Sequence, residues 1–129
     1  MSGNVLHQQR LDNGLELIFT DMSNRYYGDF YQVKIDVINR IHITEALLRA
    51  SGLSEREQLR ARGRFGEVLD VHRELKRMGV AGPEVSAVTA QLVHQFLATS
   101  LPYLSVPEFP VRLLRQSLLD QSKNGSPRG

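Results

Sequence analysis

The pair Asn13-Gly14 stands between two apolar runs, in the stretch VLHQQRLDNGLELIFTD at residues 5–21. An Asn-Gly pair in this position is typical of a type I′ hairpin turn, because that turn needs positive φ at both central residues. We therefore predict an antiparallel hairpin over residues 5–21. Along its second strand the odd positions are predicted to face the core and the even positions the opposite face. The core-facing residues would be Leu15, Leu17 and Phe19, and the residues on the opposite face would be Glu16, Ile18 and Thr20.

A third strand is predicted for FYQVKIDVI at residues 30–38, after a loop at residues 22–29. Alternation again separates two faces, with Tyr31, Val33, Ile35 and Val37 on one and Phe30, Gln32, Lys34 and Asp36 on the other. This parity divides a cluster of four aromatic residues. Tyr31 is predicted to be a core residue and Phe30 to lie on the opposite face, whereas Tyr26 and Tyr27 are placed in the loop.

Residues 44–66 are predicted to form short helical segments. Ser54 and Glu57 fit a capping box at the start of one segment, and Gly63 fits its C-terminal cap. The next stretch, EVLDVHRELKRM, fits a helix or a strand equally well by periodicity. We predict a strand over residues 67–79, because glycines bracket a segment of strand length and a fourth strand completes an open sheet.

A long helix is predicted from Pro83 to Leu101, where apolar residues recur at helical spacing. Its end is placed near Leu101, because Pro102 disfavours helical geometry at the residue before it. A last short helix is predicted at about residues 111–121. The polar tail KNGSPRG, residues 123–129, is predicted to be disordered.

Together these elements predict one α+β domain over residues 1–122. It would consist of an antiparallel sheet of about four strands, with the long C-terminal helix and the short terminal helix packed on one face. An antiparallel sheet can leave its second face in water, and its outer strands have free edges.

The composition supports one ordinary globular core, since 41% of the 129 residues are hydrophobic and 23% are charged. The chain has no cysteine, which excludes disulfides, cysteine-ligated zinc and a thiol nucleophile, and a cytoplasmic location is expected. No stretch approaches the ~20 apolar residues that span a bilayer, so no membrane partner is expected. The 16 basic residues nearly balance 14 acidic ones, which favours nucleic-acid binding only weakly.

Several segments resemble a family of small bacterial proteins that has no assigned function. They are FLATSLPYLSVPEFPVR at residues 96–112, LDNGLELIFTDMS, Gly28-Asp29 and FYQVKIDV, and the resemblance runs from about Leu11 to about Arg115. In that family the counterpart of residues 67–79 is extended, which favours the strand. The resemblance implies an architecture and brings no activity, cofactor or catalytic residue.

Motifs of catalytic, phosphate-binding and metal-binding sites are absent from the sequence, so neither enzymatic activity nor a cofactor is expected. The histidines at positions 7, 42, 72 and 94 lack the spacing of metal ligands. The nearest arrangement is Asp70-x-His72 on the predicted fourth strand. It is interpreted as part of a solvated polar sheet face rather than as a ligand set.

The candidate binding residues surround the third strand, and they are Arg25, Tyr26, Tyr27, Phe30, Lys34 and His72. The first hypothesis is a non-catalytic interaction or binding module, whose partner is another protein or a second copy meeting it through the sheet. A contiguous apolar patch of Phe30 with Ile18, or a free strand edge, would favour such association.

The alternative hypothesis is RNA or nucleotide binding through the arginine cluster at residues 56–64 and the aromatic sheet face, since bases stack on exposed aromatic side chains. The stretch GRFG at residues 63–66 resembles the G-x-x-G loop of some RNA-binding modules. A helix-capping glycine is the preferred interpretation of that stretch.

Overall fold

The computed structural model describes residues 3–124, the last four of them by their backbone only. The strands are β1 (Asn4–Arg10), β2 (Glu16–Asp21), β3 (Asn24–Tyr27), β4 (Phe30–His42) and β5 (Val68–Ala81). The helices are α1 (Glu45–Ala50), α2 (Glu55–Phe65), α3 (Val85–Leu104) and α4 (Phe109–Asn124), and a 3₁₀ turn (Gly82–Glu84) precedes α3. The predicted α+β fold with an antiparallel sheet and a long helix is confirmed.

The sheet is built around β4, which pairs with β2, β3 and β5. β5 pairs antiparallel along β4 from Phe30 to His42. Because one edge of β4 is thereby occupied, β2 and β3 must share the other edge, β2 beside residues 35–40 and β3 beside residues 30–32. β1 pairs with β2 on the outside. The sheet has five strands where about four were predicted, because β3 is an additional short strand.

The first hairpin forms as predicted, but its turn is of another type. Asn13 does not have positive φ, and Gly14 does (φ 92°), so the turn is not type I′. The Gly14 amide donates to Leu11 O at 2.9 Å and the Leu11 amide to Leu15 O at 2.8 Å. This is the three-residue loop in which a type I turn ends on a left-handed glycine. The Asn13 side chain is therefore free to bind elsewhere.

The loop predicted at residues 22–29 is wrong from Asn24 onward, because Asn24–Tyr27 form β3, which makes a hairpin with β4. Gly28 and Asp29 make the two-residue turn, in which Gly28 supplies a positive φ of 53°. Tyr26 and Tyr27 are consequently strand residues. A two-residue turn with glycine first suits the right-handed twist of paired strands, which explains why residues 24–27 form a strand here.

The capping box of Ser54 and Glu57 is confirmed at the start of α2. The cap predicted at Gly63 is wrong, because α2 continues through it to Phe65 and Gly66 caps the helix with φ 75°. Of Gly63 and Gly66, only Gly66 has the positive φ that a glycine at the end of a helix supplies. The strand predicted over residues 67–79 is confirmed as β5.

The predicted end of the long helix at Leu101 is wrong, since α3 continues through Pro102 to Leu104. The Ser105 amide donates to Leu101 O at 2.9 Å, so hydrogen bonding resumes beyond the proline. Leu104 is buried in the core, which stabilises a last turn that the local preference disfavours. The terminal helix is also longer than predicted, from Phe109 to Asn124, and includes the first two residues of the expected tail; residues 125–129 lie outside the described residues.

The core lies between one sheet face and the four helices. Its innermost residues from the sheet side are Leu15, which immediately precedes β2, Leu17 and Phe19 of β2, and Val33, Ile35, Val37 and Ile41 of β4. From the helices come Leu48, Ala61, Phe96, Leu104, Phe109, Leu114 and Leu118. The rings of Phe19 and Phe96 meet edge to face at 5.6 Å, which ties β2 to α3. The predicted odd-parity core of β2 and β4 is thus confirmed, with Tyr31 half-buried at its end.

Among the described helices, none is both long and apolar enough to cross a bilayer.

Candidate functional site

The sheet face opposite the helices, here called the polar face, carries a network of cross-strand ion pairs. Arg40 on β4 donates twice to Asp70 on β5, at 2.7 and 3.0 Å. This bidentate hydrogen bond holds the pKa of Asp70 below its usual value and raises that of Arg40. Both side chains are about one-third exposed, so the pair is a partly shielded cross-strand link.

Two of the predicted binding residues belong to this network. His72 Nδ1 lies 3.0 Å from Asp36 Oδ1, and Lys34 Nζ lies 3.5 Å from Glu74 Oε2. Farther along, His42 Nε2 lies 3.3 Å from Glu16 Oε1. Each of these basic side chains thus has a carboxylate beside it, so Lys34 and His72 do not form a patch of uncompensated positive charge.

Phe30 and Ile18 do not form one apolar patch on the polar face. Ile18 is buried opposite Ile38 of β4, whereas Phe30 is the first residue of β4. Gln32, Lys34 and Asp36 occupy the positions between them. At about 3.3 Å per residue the two apolar positions are roughly 26 Å apart.

A smaller exposed cluster lies at the end of the sheet where β3 turns into β4. It consists of Tyr26, Tyr27, Phe30 and Met78, which are 49%, 73%, 44% and 54% exposed. The Tyr26 hydroxyl lies 3.8 Å from the place that a Cβ on Gly79 would occupy, so the ring reaches across β4 to β5. Arg25 pairs in register with Tyr31 and therefore lies on the core side, where it donates to Gly28 O. The six predicted residues accordingly do not share one surface.

The outer edge of β5 has no strand partner within residues 3–124. The strand is 14 residues long. An extra residue near Gly79 makes a β-bulge, because the register passes from Tyr31 and Val80 to Val33 and Arg77. The stretch from Val68 to Arg77 is therefore a regular strand with a free row of backbone hydrogen-bonding groups.

The structure also forms a cleft between α2 and α4 that the sequence did not indicate. It has a volume of about 420 Å³, and the polar residues lining it include Glu57, Arg60, Arg112, Arg115 and Gln116. Spacings of three and four residues place the α4 members on one side of that helix. Arg115 Nη1 donates to Ser51 O at 2.7 Å, which orients its guanidinium.

A second cavity, of about 240 Å³, adjoins this cleft, since Tyr103, Arg112 and Gln116 line both. Arg73 of β5 and Asn39 of β4 line the second cavity. Asn39 is only 5% exposed, and its Oδ1 atom has no hydrogen-bond partner among the described residues. We call the two cavities together the arginine cleft. An asparagine at an odd, core-facing position of β4 was the one sequence signal that could have indicated it.

The predicted arginine cluster at residues 56–64 does not act as one surface. Arg60 lines the arginine cleft, whereas Arg62 lies 3.7 Å from Glu45 of α1. GRFG is the last turn and cap of α2, followed by a strand, and not a loop between two helices. Because α2 packs on the core side through Ala61, the cluster and the exposed aromatic residues of the polar face lie on opposite sides of the sheet.

Within the described residues no group of three or more His, Asp or Glu side chains is arranged to hold a metal ion. Comparisons of the chain with protein-family models, with curated proteins and with solved structures found no match.

Proposed function

We propose that this protein is a non-catalytic binding module that self-associates by pairing the β5 strands of two copies. The observation that supports this is the free edge of β5, whose regular part runs over ten residues, Val68 to Arg77. Edges of this length attract another strand because their backbone groups are unpaired. A second copy is the partner whose side chains match the edge best.

The match follows from the register that a two-fold axis allows. In an antiparallel pair related by an axis perpendicular to the sheet, opposite residues lie on the same face and share parity. Centred on Arg73, this pairing sets His72 against Glu74 of the second copy and Asp70 against its Lys76. A pair of opposite charge such as Asp70 with Lys76 contributes about 0.2–1 kcal/mol, and His72 can hydrogen-bond to Glu74; the two-fold axis makes each pair occur twice.

Neighbouring registers are less favourable. Centred on His72, the pairing would set Asp70 against Glu74, both carboxylates. Centred on Arg73, the like-charge contact is Arg73 with its own copy, and this side chain is exposed to water. The same register sets Val71 against Leu75, which are only partly buried in one copy. Pairing would therefore cover apolar surface on the core side as well.

The absence of cysteine allows a direct test. Arg73→Cys places one thiol at the proposed axis, where two opposed residues have the Cα separation that a disulfide needs. Under mild oxidation we expect a covalent dimer. Light scattering of the unmodified protein from about 1 μM to 1 mM should show a reversible dimer in the affinity range of small interfaces.

The matched control is Arg56→Cys, which places a thiol on the exposed surface of α2. Equal cross-linking of both variants would indicate random collisions and contradict the proposal. A strict monomer over the whole concentration range would contradict it as well.

The alternative, RNA or nucleotide binding through the residue 56–64 cluster together with the aromatic sheet face, has less support. Its two parts lie on opposite sides of the sheet, so one extended strand of nucleic acid would not meet both.

A further inference from the structure

We infer that the arginine cleft is a binding site for a small phosphorylated nucleoside, with the phosphate held by the arginines and the base stacked on Tyr103. The residues that carry this inference lie on α2, α3, α4 and β4, whereas Val71, His72 and Arg73 of β5 line the smaller cavity and also belong to the proposed dimer strand.

The first observation is an excess of positive charge. Arg60, Arg112 and Arg115 line the larger cavity, and Glu57 is the one carboxylate among its lining residues. Glu57 is already engaged, since it accepts from the Ser54 amide at 2.9 Å, and this hydrogen bond lowers its pKa. Among the described residues neither Arg60 nor Arg112 forms a salt bridge. An anion bound between them would relieve their mutual repulsion.

Guanidinium groups favour phosphate for a geometric reason. Each presents donors in a planar fork that matches two oxygens of one anion. Arg115 is held in place by its bond to Ser51 O, and within the described residues its other donors form no hydrogen bond. A site with one oriented arginine and two others nearby loses less conformational entropy on binding than a site built from mobile side chains.

The second observation is Tyr103, which lines both cavities. Its ring packs edge to face on Phe109 at a centroid distance of 5.4 Å and remains 58% exposed. The contact fixes the ring while a large part of it stays accessible. Aromatic rings held in this way are stacking platforms for nucleic-acid bases.

The third observation is Asn39, which lies beneath the smaller cavity. A buried oxygen without a hydrogen-bond donor is energetically unfavourable, and native structures contain few such atoms. Inorganic phosphate at neutral pH is chiefly an acceptor, whereas the amino group of a base donates. Oδ1 itself is buried, and a rotation of the Asn39 side chain toward the cavity would add an acceptor for an N–H group to the donors that the arginines offer an anion.

Size is consistent with this assignment. The two adjoining cavities, about 420 and 240 Å³, fall together within the range of small-molecule sites. Tyr103, Arg112 and Gln116 line both cavities, so the two lie side by side, the larger against α2 and the smaller against β4.

The test is calorimetric titration of the whole protein with adenosine 5′-monophosphate, inorganic phosphate and adenosine separately. We expect saturable binding of the monophosphate and at least about tenfold weaker binding of the other two, because each lacks half of the contacts. Equal affinity for inorganic phosphate would contradict the assignment of a base, and no saturation by the monophosphate at about 5 mM would overturn the inference.

Variants separate this site from general electrostatic attraction. Arg112→Gln is expected to weaken binding of the monophosphate about tenfold or more, whereas Arg56→Gln on the outer surface of α2 should leave it unchanged. Asn39→Leu should weaken the monophosphate and leave inorganic phosphate unaffected, without loss of thermal stability. Equal weakening by both arginine variants, or no effect of Asn39→Leu, would contradict the proposed mode.

Discussion

The side chain of Asn13 joins the first hairpin to the connection between α3 and α4, and its replacement should destabilise the whole domain. Nδ2 donates to Leu104 O at 2.8 Å and to Val106 O at 2.7 Å. Oδ1 accepts from the Leu15 amide at 3.1 Å. These contacts span more than 90 residues of sequence, since the Nδ2 bonds are separated by 91 and 93 positions.

Asn13→Asp is the most informative substitution, because it preserves size and turn propensity. The carboxylate can still accept from the Leu15 amide but can no longer donate to the two carbonyl oxygens. Each partly buried hydrogen bond contributes about 0.5–1.5 kcal/mol, and each carbonyl left without a donor adds to the loss. We expect the free energy of unfolding to fall by about 2–3 kcal/mol, which corresponds to roughly 6–12 °C in Tm for a domain of this size.

Urea denaturation followed by circular dichroism measures this difference, provided that the m-value is unchanged. The matched control is Asn24→Asp, the same substitution on exposed β3. There Oδ1 accepts from Gln32 Nε2 at 3.0 Å, which an aspartate can also do. We expect a change within about 0.5 kcal/mol for the control. Equal stability of the two variants would refute the role assigned to Asn13.

Two further perturbations test the pairing of β4 with β5 and the end of α2. Asp70→Asn should lower the free energy of unfolding by about 1 kcal/mol at pH 7, after allowance for solvent screening of a pair one-third exposed. Because the pKa of Asp70 is depressed in the folded protein, its contribution to the free energy of unfolding is present above the unfolded pKa and is lost as pH falls through the folded pKa. The variant should therefore lose less stability than the unmodified protein as the pH falls below about 4. Identical profiles of stability against pH would contradict this. Gly63→Ala and Gly66→Ala should change thermal stability in opposite directions. Alanine at position 63 stabilises the helix by about 0.5–1 kcal/mol. Alanine at position 66 would have to adopt a φ of 75° and should destabilise the protein by about 1 kcal/mol or more. A shift of the same sign in both would show that Gly66 does not end the helix by its conformation.

Short-range sequence patterns were sufficient to predict most of the helices and strands. Alternation along Leu15, Leu17 and Phe19 identified the buried face of β2, and the capping box identified the start of α2. These features depend on residues within a few positions of one another, so steric and hydrogen-bonding rules apply to them directly.

Short-range rules failed where distant contacts outweigh a local preference. The helix continues past Pro102 because Leu104 is buried and its carbonyl accepts from Asn13. The Asn-Gly signal correctly located the hairpin, yet its asparagine serves tertiary packing rather than a type I′ turn. Gly63 and Gly66 are both plausible caps in sequence, and the start of β5 immediately afterwards favours the later one.

The polar face, the β5 edge and the arginine cleft differ in the same way in how far the sequence alone determines them. By itself the sequence determined the α+β class, the parity of β2, β4 and β5, and hence which of their charged residues lie on the polar face. Only the tertiary structure decided that β5 has a free edge and that Arg60, Arg112 and Asn39 line one cleft. Parity follows from backbone geometry within one strand, whereas a cleft depends on how helices 50 residues apart pack across the core, and no local pattern encodes that packing.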